Sequence, residues 1–177
     1  PRFRLDAEAI RDNALSAAGL LSPKLGGPPV KPYQPPGLWE SKVGGDKVSY
    51  DVSQGEDGVR RGIYTIWKRT SPYPSFMNFD ATARTACTVR RSRTNTPLQA
   101  LTLLNEPTFV AAARKLAERM LTEGGATDSD RIAFAFRLVA TRSPKPAELQ
   151  MLVSALAEYR TAFENDSKTA PARPKKG

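Results

Sequence analysis

The chain has 177 residues, 40% of them hydrophobic and 25% charged, with 15 prolines and 12 glycines, a balance that supports one core domain with long irregular stretches. Histidine is absent and Cys87 is the only cysteine, which excludes histidine-based triads, histidine-dependent zinc sites, covalent haem attachment and an intrachain disulfide. The net charge of +9 is local: residues 84–93 carry +4 and residues 167–177 another +4, leaving +1 for the rest, whereas nucleic-acid binding calls for basic residues spread over a face with aromatics among them.

No apolar run approaches the roughly 18 residues of a membrane-spanning helix. The start, PRFRLDAEAI, is neither a signal peptide nor an initiator-methionine context, so the sequence reads as a piece of something longer. Residues 1–25 predict a helix: Asp6 is a good N-cap, Glu8 complements the dipole, and Leu5 can staple onto Ile10. Ile10, Ala14, Ala17 or Ala18, and Leu21 recur at helical spacing as its inner face, and Ser22-Pro23 closes it. Residues 26–45 form a proline-rich arm with five prolines among positions 28–36, a density that rules out a helix or a central strand. Polyproline II is its natural form. A PxxP ligand for a partner domain is one use; the expected one is that Tyr33 and Trp39 strap the arm onto its own core.

Residues 46–83 predict a hairpin and loop region. Val48, Tyr50 and Val52 alternate with polar residues, and Ile63 to Trp67 are β-branched or aromatic, so two strands are expected around the QGEDGVRR loop, with a helix over 60–68 as the alternative. Asp80 is a candidate cap for a short turn or helix carrying Arg84 and Cys87. Residues 84–166 predict an arginine-rich turn followed by a helical bundle. Thr96-x-x-Gln99 has capping-box spacing and Pro97 falls at the first helical position, with Leu98, Leu101, Leu103 and Leu104 expected around a buried helix. Asn105 is a fair cap for a second helix with Phe109, Ala113, Leu116 and Met120 inside, ended by Gly124-Gly125. Asp128 or Ser129 caps a third, with Ile132, Phe136 and Val139 inside, and Pro146 opens a fourth with Leu149, Leu152, Val153, Leu156 and Phe163 inside. Short connections imply antiparallel neighbours, and Leu101, Leu104, Phe109, Leu116, Phe136 and Leu152 are expected to share one core. Residues 167–177 read as a disordered basic tail. The fold class is therefore mainly α: a small helical bundle with a proline-rich arm and a small β-hairpin.

The candidate site is Arg84, Arg90, Arg91, Arg93, Thr94, Asn95 and Thr96. Four arginines stand within ten residues that contain no acid, just before a helix N-terminus that favours anions. Arginine forks match carboxylate, sulfate and phosphate oxygens, so an acidic ligand is one reading. The expected reading is structural: at least one of Arg90, Arg91 and Arg93 is largely buried on a carboxylate or several carbonyls and locks the TNTP turn onto the bundle. Cys87 could be an activated thiolate between cations, but a small buried hydrophobe is expected. Hydrolysis by Asp80 and Glu106 is conceivable, although no spacing selects that pair from the other sixteen acids. No catalytic or metal residue and no cofactor is assigned.

The run CTVRRSRTNTPLQALTLLNEPTFVAAAR, with LDAEAIRD, GGPPVKPYQPPGLWE, RRGIYTIWKRTSPYPSFMNFD and RIAFAFRLVATRSPKPAEL, closely resembles the C-terminal domain of unknown function of planctomycete-type proteins that often carry a cytochrome-c-like domain. That resemblance implies an exported, multidomain parent in the periplasm or cell envelope, in a setting of redox or polysaccharide metabolism, with no haem site carried onto this chain. The functions expected are a non-catalytic structural or interaction module that packs on its parent or a partner complex, or else a module binding sulfated or acidic polysaccharide through the arginine cluster.

Overall fold

The computed structural model describes residues 4–39 and 49–169, with side chains to residue 166. Val48 of the expected first strand, residues 40–45 of the arm and residues 170–177 of the tail lie outside the described residues. Among the described residues the chain is mainly helical: α1 (Ala7–Ala17), α2 (Pro74–Asn78), α3 (Pro97–Asn105), α4 (Pro107–Glu123), α5 (Asp128–Ala140) and α6 (Pro146–Thr169). It divides into two compact units, Pro1–Ala117 and Glu118–Gly177.

In the first unit, α1 follows Asp6, whose carbonyl accepts the Ile10 N–H at 2.9 Å. Its buried face is Ala7, Arg11, Leu15 and Ala18, while Ile10 and Ala14 are only partly buried. The small residues around Arg11 let the helix approach its neighbours closely. Gly62 makes the same allowance from the other side: a Cβ there would stand 3.1 Å from the Glu8 Cα, Cβ and carbonyl oxygen. Two clusters fill the unit, the first aromatic-rich and the second aliphatic. One holds Ala7, Tyr73, Phe76, Phe79, Ala81 and Phe109, and the other Leu15, Ala18 and Ala112. Tyr73 and Phe76 meet edge to face at 4.9 Å, and Phe79 and Phe109 at 6.3 Å, the geometry that ring quadrupoles favour.

The hairpin is not formed among the described residues. Gly55–Val59 and Gly62–Tyr64 are 3-10 helices, whose tight turns break the expected second strand at its start. The backbone donors of this region pair instead with the proline-rich arm. Val30 N–H reaches the Tyr64 carbonyl and Ile66 N–H the Val30 carbonyl, both at 2.8 Å, as a parallel bridge. Ser53 N–H bonds the Lys31 carbonyl at 2.8 Å and the Tyr50 hydroxyl the Pro32 carbonyl at 2.6 Å. Proline removes donors from the arm but not acceptors, and these bonds use the acceptors. Trp39 straps the arm as expected, buried and 4.8 Å from the Tyr50 ring, whereas Tyr33 is 40% exposed.

The arm is also held by buried arginines that no sequence pattern singles out. Arg11 and Arg60 are 1% and 0% exposed. Arg11 donates to the carbonyls of Arg60 at 2.6 Å and Gly58 at 2.8 Å. Arg60 donates to the carbonyls of Pro28 at 3.1 Å and Gly26, and its guanidinium lies 4.0 Å from the Tyr64 ring centroid.

In the second unit, α5 and α6 pair. Thr127, one residue before the expected cap, closes a capping box with Asp130, and Pro146 opens α6 as predicted. Ile132 is buried, Phe136 is half-buried and Val139 is 49% exposed. The shared core expected for six residues is thus replaced: Phe109 belongs to the aromatic cluster of the first unit, Leu101 and Leu104 are exposed, and Phe136 and Leu152 line an apolar cleft of about 360 Å3 in the second. α6 runs through Thr169, three residues into the expected tail.

At the start of α6 the Glu148 carboxylate accepts both Arg142 guanidinium nitrogens at 2.7 and 2.8 Å and the Lys145 N–H at 2.8 Å. The Arg142 bonds first, then the backbone bond, hold its carboxyl down to about 2. A depressed folded value contributes stability that is complete above the ordinary carboxylate value and lost as pH falls through the folded one. Acid titration of the helical circular dichroism should therefore show wild type losing signal between about pH 4 and pH 2 that Glu148→Gln has already lost at neutral pH. Superimposable titration curves would count against this capping role.

Candidate functional site

The arginine-rich segment begins where the chain leaves α2 and turns sharply. Asp80 and Arg84 both have left-handed backbones, with φ of 63° and 58°, conformations that cost a non-glycine residue about 1–2 kcal/mol. Asp80 repays this with its carboxylate, which accepts the Thr94 N–H at 2.8 Å and the Thr94 hydroxyl at 2.8 Å. One carboxylate therefore ties the two ends of the segment together. Asp80 does not cap a helix carrying Arg84 and Cys87, because residues 80–96 are irregular.

The Thr94 hydroxyl also accepts the Gln99 side-chain amide at 3.2 Å. Gln99, 3% exposed, accepts the Thr96 N–H at 3.2 Å and a bond from Arg4. The capping box predicted from Thr96-x-x-Gln99 is present, with Pro97 at the start of α3. Thr94 and Thr96 thus act as a latch, while Asn95 is exposed.

The four arginines divide into two kinds. Arg84 stacks 4.5 Å from the Trp67 ring centroid, and the indole N–H is directed to the Ala83 carbonyl at 3.4 Å. Arg91 makes a two-pronged bridge to Glu8 of α1, at 2.6 and 3.0 Å, with about a third of its side chain exposed. Burial pushes the Glu8 carboxyl up, but the Arg91 hydrogen bonds and the charges of Arg91 and Arg84 outweigh it and hold the group below the usual range. Arg90 and Arg93 are exposed and have no carboxylate partner among the described residues. Arg91 meets part of the structural expectation, being tied to a carboxylate but only half-buried. The arginines that are fully buried on carbonyls are Arg11 and Arg60.

Arg84, Arg90, Arg91 and Arg93 all line one concavity of about 840 Å3, together with Thr82, Thr85, Thr88, Cys87 and a single acid, Asp6. Cys87 is exposed in it, not buried as expected, since the loop is irregular and its larger apolar neighbour, Val89, is itself fully exposed. The proposed acid–base pair is otherwise engaged. Asp80 holds Thr94, and Glu106 caps α4 by accepting the N–H groups of Thr108 at 3.0 Å and Phe109 at 3.2 Å. Glu106, not Asn105, is the cap, and Asn105 turns back to the Leu101 carbonyl at 2.9 Å.

A second surface adjoins the latch, and sequence reasoning placed its residues inside the core. α3 buries Gln99 and Thr102 and leaves Leu98, Leu101, Leu103 and Leu104 between 46% and 72% exposed. The inversion follows from what α2 offers: the Asn78 amide donates to the Thr102 hydroxyl at 3.0 Å, so a polar stripe faces inward. Leu98 and Leu101 border a hollow of about 490 Å3 with Tyr33, Pro35 and Tyr73. The readable signal was Gln99 and Thr102 at i and i+3, a polar stripe within a leucine run.

Among the described residues no group of histidine, cysteine and carboxylate side chains is arranged to hold a metal ion, and no helix is long and apolar enough to cross a membrane. No curated protein and no solved structure matches the chain. A family model does, over residues 1–156. The chain belongs to the family described as PSD1, protein of unknown function (DUF1553).

Proposed function

We propose that the chain is a non-catalytic interaction module of a multidomain exported envelope protein, and that it packs on its parent chain or a partner through the leucine face of α3. One observation carries this reading: α3 turns its polar stripe inward and four leucines outward. Large exposed apolar patches mark interaction surfaces. Burying the exposed half of four leucines would contribute on the order of 3–4 kcal/mol to a docked state. The export and envelope setting comes from the family resemblance, and the apolar hollow beside Leu98 and Leu101 gives a docking element somewhere to enter.

Two measurements test it. Leu98→Lys, Leu101→Lys and Leu104→Lys combined should leave the thermal midpoint nearly unchanged, because exposed substitutions usually act within about 0.5 kcal/mol each and lysine is as good a helix former as leucine. A photo-crosslinking residue at position 101 of the full-length protein in its native cell should give a discrete adduct that the same residue at exposed Glu158 does not. Equal crosslinking at both positions, or a large loss of stability in the triple variant, overturns the reading.

A further inference from the structure

We infer that the concavity walled by Arg84, Arg90, Arg91 and Arg93 is a binding site for an acidic polysaccharide, distinct from the α3 surface and independent of the docking reading. Four guanidinium groups share one basin of about 840 Å3 with a single carboxylate, Asp6, on its wall. Two of them are fixed from behind, Arg84 on Trp67 and Arg91 on Glu8. The other two, Arg90 and Arg93, have no carboxylate partner among the described residues. Anchored arginines set the walls and unpaired ones remain available to receive a ligand's charge. This division costs less ordering entropy on binding than four free side chains would.

The lining selects among polyanions. Thr82, Thr85 and Thr88 line the basin together with the arginines, and hydroxyls beside guanidinium forks match sugars that carry sulfate or carboxylate groups. No aromatic ring lines it, and the face of nearby Trp67 is already covered by Arg84, so the stacking platforms that hold single-stranded nucleic acid are missing. Sulfate esters and uronic carboxylates share the chemistry required.

The test titrates the whole chain with dextran sulfate and with polygalacturonate, using neutral dextran as control and a duplex oligonucleotide for comparison. At least one of the acidic polymers should bind, neutral dextran should not, and the better of the two identifies the anionic group. Arg90→Ala with Arg93→Ala should weaken binding by about tenfold or more without moving the thermal midpoint. Alanine at Lys168, Arg173, Lys175 and Lys176 should leave it within about twofold. Cys87 is the only cysteine and lies in the basin, so bound polymer should slow its labelling by a neutral maleimide. Unaltered affinity in the arginine double variant, loss of binding in the tail variant, unprotected Cys87 at saturation, or tighter binding to the duplex than to either polysaccharide overturns the proposal.

Discussion

Replacing Arg60 by Ala should cost the first unit roughly 3–5 kcal/mol, the sum of a large-to-small cavity and buried carbonyls left without donors, and should lower its thermal midpoint by on the order of 10 °C or more. The side chain is wholly buried, bonded to the Pro28 and Gly26 carbonyls and laid over Tyr64. Its own carbonyl receives Arg11, so the two arginines form a chain from α1 through the 58–60 segment to the arm. Loss of Arg60 leaves carbonyls without donors and a cavity beneath the arm. Opposing this, the variant no longer has to strip a guanidinium of its hydration on folding, a group whose Nε finds no acceptor in the wild-type fold. Arg60→Met separates the contributions, since methionine restores much of the volume and none of the hydrogen bonds. Denaturant titration should find Arg60→Met closer to Arg60→Ala than to wild type. A methionine variant as stable as wild type would mean that Arg60 acts by filling space alone.

Phe76→Ala should be comparably damaging, about 3–5 kcal/mol. Phe76 is 2% exposed, stands edge-on to Tyr73 and joins α2 to Ala7 of α1 in the larger aromatic cluster. A five-residue helix has too few internal hydrogen bonds to stand alone, so α2 depends on this anchor for its place. Because α2 also presents Asn78 to Thr102 and leads into Asp80, the variant should loosen the latch as well as the core. Amide exchange at Thr94 would report this, becoming faster in Phe76→Ala. Phe136→Ala is the contrast: that ring is only half-buried and should cost clearly less. A loss of less than about 1 kcal/mol from Phe76→Ala would mean that the aromatic cluster does not dominate the stability of the first unit.

The sequence was most legible where one local interaction decides the outcome. The Thr96–Gln99 capping box, Pro97 and Pro146 at helix starts and the break at Gly124-Gly125 are all set within four residues, and they stand where the spacing placed them. It was least legible where a distant partner decides. Ile63 to Trp67 have strand-forming side chains, yet their donors and acceptors found the arm more than thirty residues away, and a 3-10 helix took the place of the start of the second strand. The leucines of α3 looked like core because leucine usually is; the decision lay with Asn78, which offered Thr102 a partner on the inner side. The physics expected of a buried arginine was present in the fold but at Arg11 and Arg60, where alanines and glycines allow a long side chain to be enclosed. In the candidate site the arginine density was visible at once. The division into anchored and unpaired members was not, because it depends on Trp67 and Glu8.

The carboxylate of Asp80 gripping Thr94 makes the intervening segment a cassette. Its ends are secured to the body at one point, and Arg84 and Arg91 pin it again to Trp67 and Glu8, so only the chain between those two arginines can change without the body registering it. Lengthening such a closed loop costs only a slowly growing entropy, about 0.6 kcal/mol for each doubling. Related chains are therefore free to exchange the residues from Thr85 to Val89 for longer or differently charged ones while keeping Asp80, Thr94 and Gln99. A single scaffold can in this way present many different surfaces to the outside at almost no cost to its own folding.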